Sequence, residues 1–220
     1  QAVLDRFKQV EPKVLFVTDG YYYNGKTFDT LGKFKDIAAA LPNLEKVVVL
    51  AFTQDNPDIG AIDNAVEFDA FISAFAPQEI VFRRFPFNHP LFILYSSGTT
   101  GTPKCILHGT LLQNLTTQTL HHDTKADDRL CYATTTGWVV WNLMVYGLGC
   151  GATLLLYDGS PYHPGPAVLF DYVDEERATF LRLTPKLIED MAKAGLEPAK
   201  SHDLSTLRSI TAAGSPFAAA

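Results

Sequence analysis

One short segment carries most of the chemistry that can be read from this sequence. Tyr95–Lys104 (YSSGTTGTPK) sets two Ser, three Thr, two Gly and one Lys between apolar runs. The hydroxyls of Ser96, Ser97, Thr99, Thr100 and Thr102 can donate hydrogen bonds, and Gly98 and Gly101 permit the tight turns and close backbone approach that a polyphosphate needs. Lys104 adds a compact positive charge suited to a phosphate oxygen, while Pro103 stiffens the chain and donates nothing. Two common nucleotide loops are excluded by spacing. The Walker pattern runs G-x-x-x-x-G-K-[ST], but Gly98 and Gly101 lie too close together, and Lys104 stands between Pro103 and Cys105. The dinucleotide pattern G-x-G-x-x-G does not occur. The segment therefore reads as a phosphate loop of another kind.

Other groupings carry less. Trp138 and Trp141 are spaced to share one helix face and read as core aromatics as readily as pocket residues. His121-His122-Asp123 are adjacent, so their side chains diverge and no metal site is expected. Asp127-Asp128 reads as an exposed turn. Cys105, Cys131 and Cys150 are odd in number and fit neither a disulfide framework nor a zinc knuckle. They are expected to be reduced thiols acting as small hydrophobes, as in a cytoplasmic protein.

The elements that must hold these residues follow from periodicity. Val14–Thr18 and Val47–Ala51 are apolar runs of buried-strand type. Asn24-Gly25 between aromatic flanks signals a hairpin over Asp19–Lys26. Leu31, Phe34, Ile37, Ala38 and Leu41 recur at helical spacing, with Thr30 as a candidate cap and Pro42 as a stop. Further strands are expected at Phe82–Phe85, Phe92–Tyr95, Cys105–His108, Arg129–Thr134, Ala152–Tyr157, Phe180–Leu183 and Leu207–Ala212. Helices are expected at Phe68–Phe75, Leu111–Leu120, Val139–Leu148, Pro166–Arg177 and Pro185–Ala194. Alternation of this kind predicts an α/β fold, with a largely parallel sheet carrying helices on both faces. Ligands in such sheets sit at loops beyond the strand ends.

Bulk properties narrow the classes. With 220 residues, 47% of them hydrophobic, the chain can build one large domain or two small ones. A net charge of −6 and a pI near 5.4 argue against a nucleic-acid platform. The N-terminus has charges from Asp5 onward and no apolar core of a signal peptide. Trp138–Tyr157 lacks charge over a length that could span a bilayer, but Gly147, Gly149 and Gly151 divide it into a helix and a buried strand. No membrane span is expected.

SSGTTGTPK resembles the phosphate-binding signature of the adenylate-forming superfamily, which includes acyl-CoA synthetases, luciferases and peptide-synthetase adenylation domains. Thr134–Asn142 (TTTGWVVWN) resembles that superfamily's aromatic motif beside the acyl pocket, and Ala212–Pro216 (AAGSP) its adenine loop. TTTGWVVWN and the segments QVEPKVLFVTDGYYYNGK (9–26), LYDGSPYHP (156–164) and HDLSTLR (202–208) are more narrowly similar to the acetoacetyl-CoA synthetase family. The resemblance implies an AMP-forming ligase that joins acetoacetate to coenzyme A at the expense of ATP, with Mg²⁺, in cytoplasmic lipid and ketone-body metabolism. It implies that Ser96, Ser97, Gly98, Thr99, Thr100, Gly101, Thr102 and Lys104 grip the phosphates, with Thr99 and Lys104 closest to catalysis. It places Gly214, Ser215 and Pro216 at the adenine, and Gly137 and Trp138 at the acyl group. A ligase for acetate or propionate and a non-catalytic nucleotide-binding module are the alternatives. The family pattern departs at two places: Thr110 directly follows His108-Gly109, where a Gly-rich insertion is expected, and FLRLTPK (180–186) puts Arg182 where a small residue is expected. The resemblance also implies that residues 1–220 are part of an N-terminal adenylation domain, with the acidic motif, the ribose Asp and the small C-terminal domain lying beyond.

Overall fold

The computed structural model describes residues 1–96, 101, 103–109 and 111–215. It divides into two compact units, residues 1–109 and 110–220.

In the first unit, β1 (Val14–Thr18), β4 (Lys46–Leu50) and β5 (Ala65–Glu67) form a parallel sheet in the order β1-β4-β5. The central strand is buried on both faces, as its unbroken valine run requires: Val47, Val48 and Val49 are at most 1% exposed. α2 (Leu31–Ala39) lays Leu31, Phe34, Ile37 and Ala38 onto this core, with Leu41 just beyond its end. Thr30 stands at the cap position, but its hydroxyl donates to the Thr18 carbonyl at 2.6 Å. The Leu31 amide is met instead by the Asp29 carboxylate at 3.0 Å. β2 (Gly20–Tyr23) and β3 (Lys26–Asp29) form the expected hairpin, turning through Asn24 and Gly25 at φ 52° and 74°. Its entry is fixed by buried Asp19, whose carboxylate accepts from the Phe52 amide at 2.6 Å and the Thr53 hydroxyl at 2.6 Å.

α1 (Ala2–Val10), which periodicity did not reveal, packs Leu4 and Phe7 against the same core. α3 (Phe68–Ser73) follows β5 and sets Phe71 edge-on to Phe16. Phe82–Phe85 forms no strand. Val81 and Phe82 are each 85% exposed, and no described segment pairs with them. Their residue types favour strand, but an isolated strand has no ladder to hold it. β6 (Phe92–Tyr95) instead pairs antiparallel with β7 (Cys105–His108).

The second unit opens with α4 (Leu111–Thr116), continued by a π-helical turn to His121. Four strands then form a fully parallel sheet: β8 (Arg129–Tyr132), β9 (Thr153–Leu155), β10 (Phe180–Leu183) and β11 (Ser209–Ala212). The order is β11-β10-β8-β9. One face packs Leu130, Tyr132 and Phe180 under Met144 of α5 (Val139–Val145). The other packs Cys131, Leu155, Leu181 and Leu183 under α6 (Val168–Glu175) and α7 (Pro185–Lys193). The even–odd alternation along β8 and β10 sorts side chains between these faces. The expected α/β architecture with helices on both faces is therefore present here. A short helix, α8 (Pro198–Ser201), leads toward β11; like α1 and β5, it is an element that the sequence did not signal. The uncharged stretch from Trp138 to Tyr157 divides into α5, a 3-10 turn (Tyr146–Cys150) and β9. Among the described residues no helix is long and apolar enough to cross a membrane.

Asp127-Asp128 is not simply an exposed turn. Asp128 is 4% exposed and accepts from the Lys125 amide at 2.8 Å, the Thr179 hydroxyl at 2.6 Å and Arg208 Nε at 3.1 Å. Arg208 Nη2 also contacts its other oxygen. These partners sit at the amino ends of β8, β10 and β11, so one buried carboxylate ties three strand starts together. Burial pushes the Asp128 carboxyl up, but the bonds from Arg208 and Thr179 outweigh it and the net shift is downward.

Candidate active site

The hydroxyl-rich loop is the connection of an antiparallel hairpin. β6 and β7 pair from Phe92↔His108 to Tyr95↔Cys105, so Ser96–Lys104 bridges their ends. The stem is bonded shut at its last rung. The Ser96 amide donates to the Lys104 carbonyl at 3.0 Å, and the Lys104 amide donates to Ser96 Oγ at 3.0 Å. Ser96 thus closes the loop with its oxygen and keeps its hydroxyl proton as a donor. Gly101 has φ +148° and open space around it, a conformation in which any side chain is strained. Lys104 is exposed. Ser97, Gly98, Thr99, Thr100 and Thr102 lie outside the described residues, as does Pro216.

The stem is held from outside by α1, a partner that sequence reasoning missed. Gln9 Nε2 donates to the Pro103 carbonyl at 2.7 Å, and the Cys105 amide donates to Gln9 Oε1 at 3.1 Å. The Tyr95 hydroxyl donates to the Arg6 carbonyl at 3.2 Å, with the Arg6 guanidinium 5.9 Å from the Tyr95 ring centre. Burial and the neighbouring Cys105 raise the Tyr95 hydroxyl above its ordinary range, against an opposing pull from Arg6. Tyr95 therefore stays a neutral donor. No local signal in a nine-residue amphipathic helix points to a loop more than ninety positions away.

In the second unit the remaining candidates gather at one end of the sheet. The chain runs from β8 out to β9, returns past β8 to β10, and continues to β11. The winding direction reverses between β8 and β10, and α5 and α7 leave on opposite faces there. Such a switch point opens a crevice beyond the carboxyl ends of the strands. Gly137 and Trp138 stand in the loop that leaves β8; Trp138 is the extended residue before α5 and is 55% exposed. Gly214 and Ser215 follow β11, next to β10, where the Ala213 amide donates to the Leu183 carbonyl at 3.4 Å. Gly214 has φ +114° and Ser215 is exposed. Trp141 differs from its neighbour: it packs against the core beneath α5.

The segment FLRLTPK has a structural account. Leu183 ends β10, Thr184 caps α7 by accepting from the Leu187 amide at 3.2 Å, and Pro185 occupies the first turn. Arg182 lies half-buried on the α5 face, 5.8 Å from the Tyr132 ring centre. Burial, Arg182 and His121 lower the pKa of His122, which sits edge-on to Phe180 and is neutral near pH 7. HDLSTLR runs along the opposite, amino end of the sheet. There His202 bridges Ser201 and Asp171, and Arg177 pairs with Asp203. It serves the scaffold rather than the crevice. Burial pushes the Cys131 thiol up to about 12, and all three cysteines are free.

The chain is similar to known proteins along nearly its whole length. The family model described as AMP-binding enzyme matches residues 1–220. An acetoacetyl-coenzyme A synthetase from Rhizobium meliloti (strain 1021) is 45% identical over 99% of this chain and 34% of its own length. A malonamoyl-CoA synthetase from Penicillium aethiopicum is 38% identical over 86% of this chain and 27% of its own. The solved structure of an acetoacetyl-CoA synthetase from Streptomyces lividans superposes with a TM-score of 0.89 at 38% identity, covering 98% of this chain and 33% of that one. The chain thus spans about a third of the length of the first of these relatives and of the solved structure. With a family match along its whole length, a donor-rich hairpin loop and a parallel-sheet switch point, the chain belongs to the AMP-binding enzyme family.

Proposed function

We propose that this chain is part of the N-terminal adenylation domain of a longer acid–thiol ligase that activates acetoacetate with ATP and transfers it to coenzyme A. The observation that carries this reading is the likeness to acetoacetyl-CoA synthetases along nearly the whole chain, well beyond the phosphate loop. In the first half-reaction a carboxylate oxygen of acetoacetate attacks the α-phosphorus of ATP. The bond from that phosphorus to the bridging oxygen breaks, giving acetoacetyl-AMP and pyrophosphate. The demand on the protein is positioning and neutralisation of charge on the departing group. Ser96, Ser97, Gly98, Thr99, Thr100, Gly101 and Thr102 supply donors and close backbone approach for the β- and γ-phosphates, and Lys104 supplies a positive charge. Gly214, Ser215 and Pro216 flank the adenine, and Gly137 and Trp138 border a short acyl cavity. In the second half-reaction the coenzyme A sulfur attacks the acyl carbon, and AMP leaves with the electron pair of the cleaved C–O bond.

Mg²⁺ is expected to accompany ATP. Among the described residues no group of three or more His, Cys, Asp or Glu side chains could hold a metal ion. Mg²⁺ is commonly held by one or two carboxylates together with substrate phosphates, and the acidic motif expected after the adenine loop would supply such a carboxylate. A cytoplasmic location and a role in ketone-body and lipid metabolism follow from the same reading.

The malonamoyl-CoA synthetase relative favours a second reading, a ligase for another short acid on the same scaffold. Acid-dependent ATP–pyrophosphate exchange by the intact enzyme separates the two. Acetoacetate should support exchange at the highest kcat/KM among acetoacetate, acetate, propionate and malonamate. Preference for another acid would overturn the substrate, and exchange with none would favour a nucleotide-binding module.

A further inference from the structure

From the contacts around the loop stem, we infer that α1 is a clamp for the phosphate loop and that Gln9 is its positioning residue. The inference rests on the proposed role of Ser96–Lys104 as the phosphate grip. In an antiparallel pair, successive residues of one strand turn their backbone groups to alternate sides. The Lys104 amide and carbonyl face β6 and are taken by Ser96. The Pro103 carbonyl and the Cys105 amide therefore face the opposite, open edge of β7. The Gln9 carboxamide occupies that edge with both of its functions, donating to the Pro103 carbonyl at 2.7 Å and accepting from the Cys105 amide at 3.1 Å. A primary amide here does what the peptide group of a neighbouring strand would do. Gln9 Nε2 also donates to the Asp5 carbonyl at 2.6 Å, which holds the side chain along its own helix. Arg6, three residues earlier on the same helix, accepts at its carbonyl from Tyr95 on the other strand of the stem, at 3.2 Å. One helix thus grips both strands at the point where the loop begins.

The consequence is preorganisation. Donors that are already held in place lose less freedom when a ligand binds, so a fixed stem favours binding. If only part of the free population has a closed stem, apparent affinity falls by that fraction. Gln9 raises the closed fraction without touching the nucleotide. Its side chain is exposed, so the fold does not depend on burying it.

The test uses Gln9→Ala and Gln9→Glu in the intact enzyme. Glu keeps an acceptor for the Cys105 amide but sets a carboxylate oxygen against the Pro103 carbonyl. Gln9→Ala should weaken ATP binding, measured without acid, and raise KM for ATP by about threefold to tenfold, the loss of one or two modest hydrogen bonds. KM for the acid and the melting temperature should hold, and Gln9→Glu should be no better than Ala. Unchanged ATP affinity in Gln9→Ala would overturn the clamp, as would a parallel rise in both KM values with a fall in melting temperature. Because ATP binding is read without acid, an intact enzyme that binds ATP but fails every acid would refute the ligase reading alone.

Discussion

At the scale of single residues, Lys104 is the sharpest test of the phosphate loop. It is exposed, its backbone closes the hairpin through Ser96, and no ion pair of its ammonium with another described residue is present. Its side chain can therefore be removed without disturbing the stem. Lys104→Ala in the intact enzyme should lower acid-dependent pyrophosphate exchange by about tenfold to a thousandfold, the usual range for one group that stabilises developing charge. The melting temperature should stay within about a degree, because exposed substitutions away from packed contacts cost little. Equal loss of activity and stability would show that Lys104 supports the fold instead. Residue types alone pointed to this lysine. They did not reveal that Ser96 spends its oxygen on the stem, because that bond exists only once β6 and β7 are paired in register.

At the scale of elements, the second unit separates its two ends. The loops after β8 and β11 carry the candidate acyl and adenine residues, while the amino ends of β8, β10 and β11 are tied by Asp128, Thr179 and Arg208. Changes at the amino end should act on stability. Asp128→Asn should destabilise the protein by about 2–4 kcal/mol, since Arg208 loses its buried partner. The effect should depend on pH. The folded carboxyl of Asp128 has its pKa held below the unfolded value of about 3.9. Its stabilising contribution is therefore complete above that value and is lost as pH falls through the folded pKa. Urea unfolding should show a wild-type advantage over Asp128→Asn that is constant from about pH 6 to 5 and shrinks as pH falls below about 4. An advantage that grew on acidification would contradict the assigned ion pair. The sequence reading of Asp127-Asp128 as an exposed turn held the local conformation in view but not the strand ends that close over Asp128.

At the scale of the whole molecule, the chain spans about a third of the length of its acetoacetyl-CoA synthetase relatives. The candidate phosphate loop, acyl-pocket residues and adenine loop fall within it, and the acidic motif, ribose Asp and small C-terminal domain that the resemblance implies are expected outside it. Residues 1–220 on their own should therefore show no acetoacetate-dependent pyrophosphate exchange at rates near those of the intact enzyme. Comparable rates from this chain alone would sink the proposed domain assignment. The two units, each with its own parallel sheet, match a chain long enough for two small cores.

The sequence by itself determined the alternation of strands and helices, the Asn24-Gly25 hairpin, the α2 stripe and the donor-rich composition of YSSGTTGTPK. Each of these depends on neighbours close in the chain, where period and turn chemistry decide the outcome. Only the tertiary structure decided the rest. It gave Phe92–Tyr95 a partner in Cys105–His108 and left Phe82–Phe85 with none, although both segments have strand composition. It turned Gln9 into a loop clamp and Asp128 into a buried tie. It also set the winding of β8 to β11 so that Trp138 and Gly214 stand at the same end of one sheet. The physical reason is common to all four: a hydrogen bond or a strand pairing joins residues of separate elements, and the choice of partner leaves no local periodicity to read.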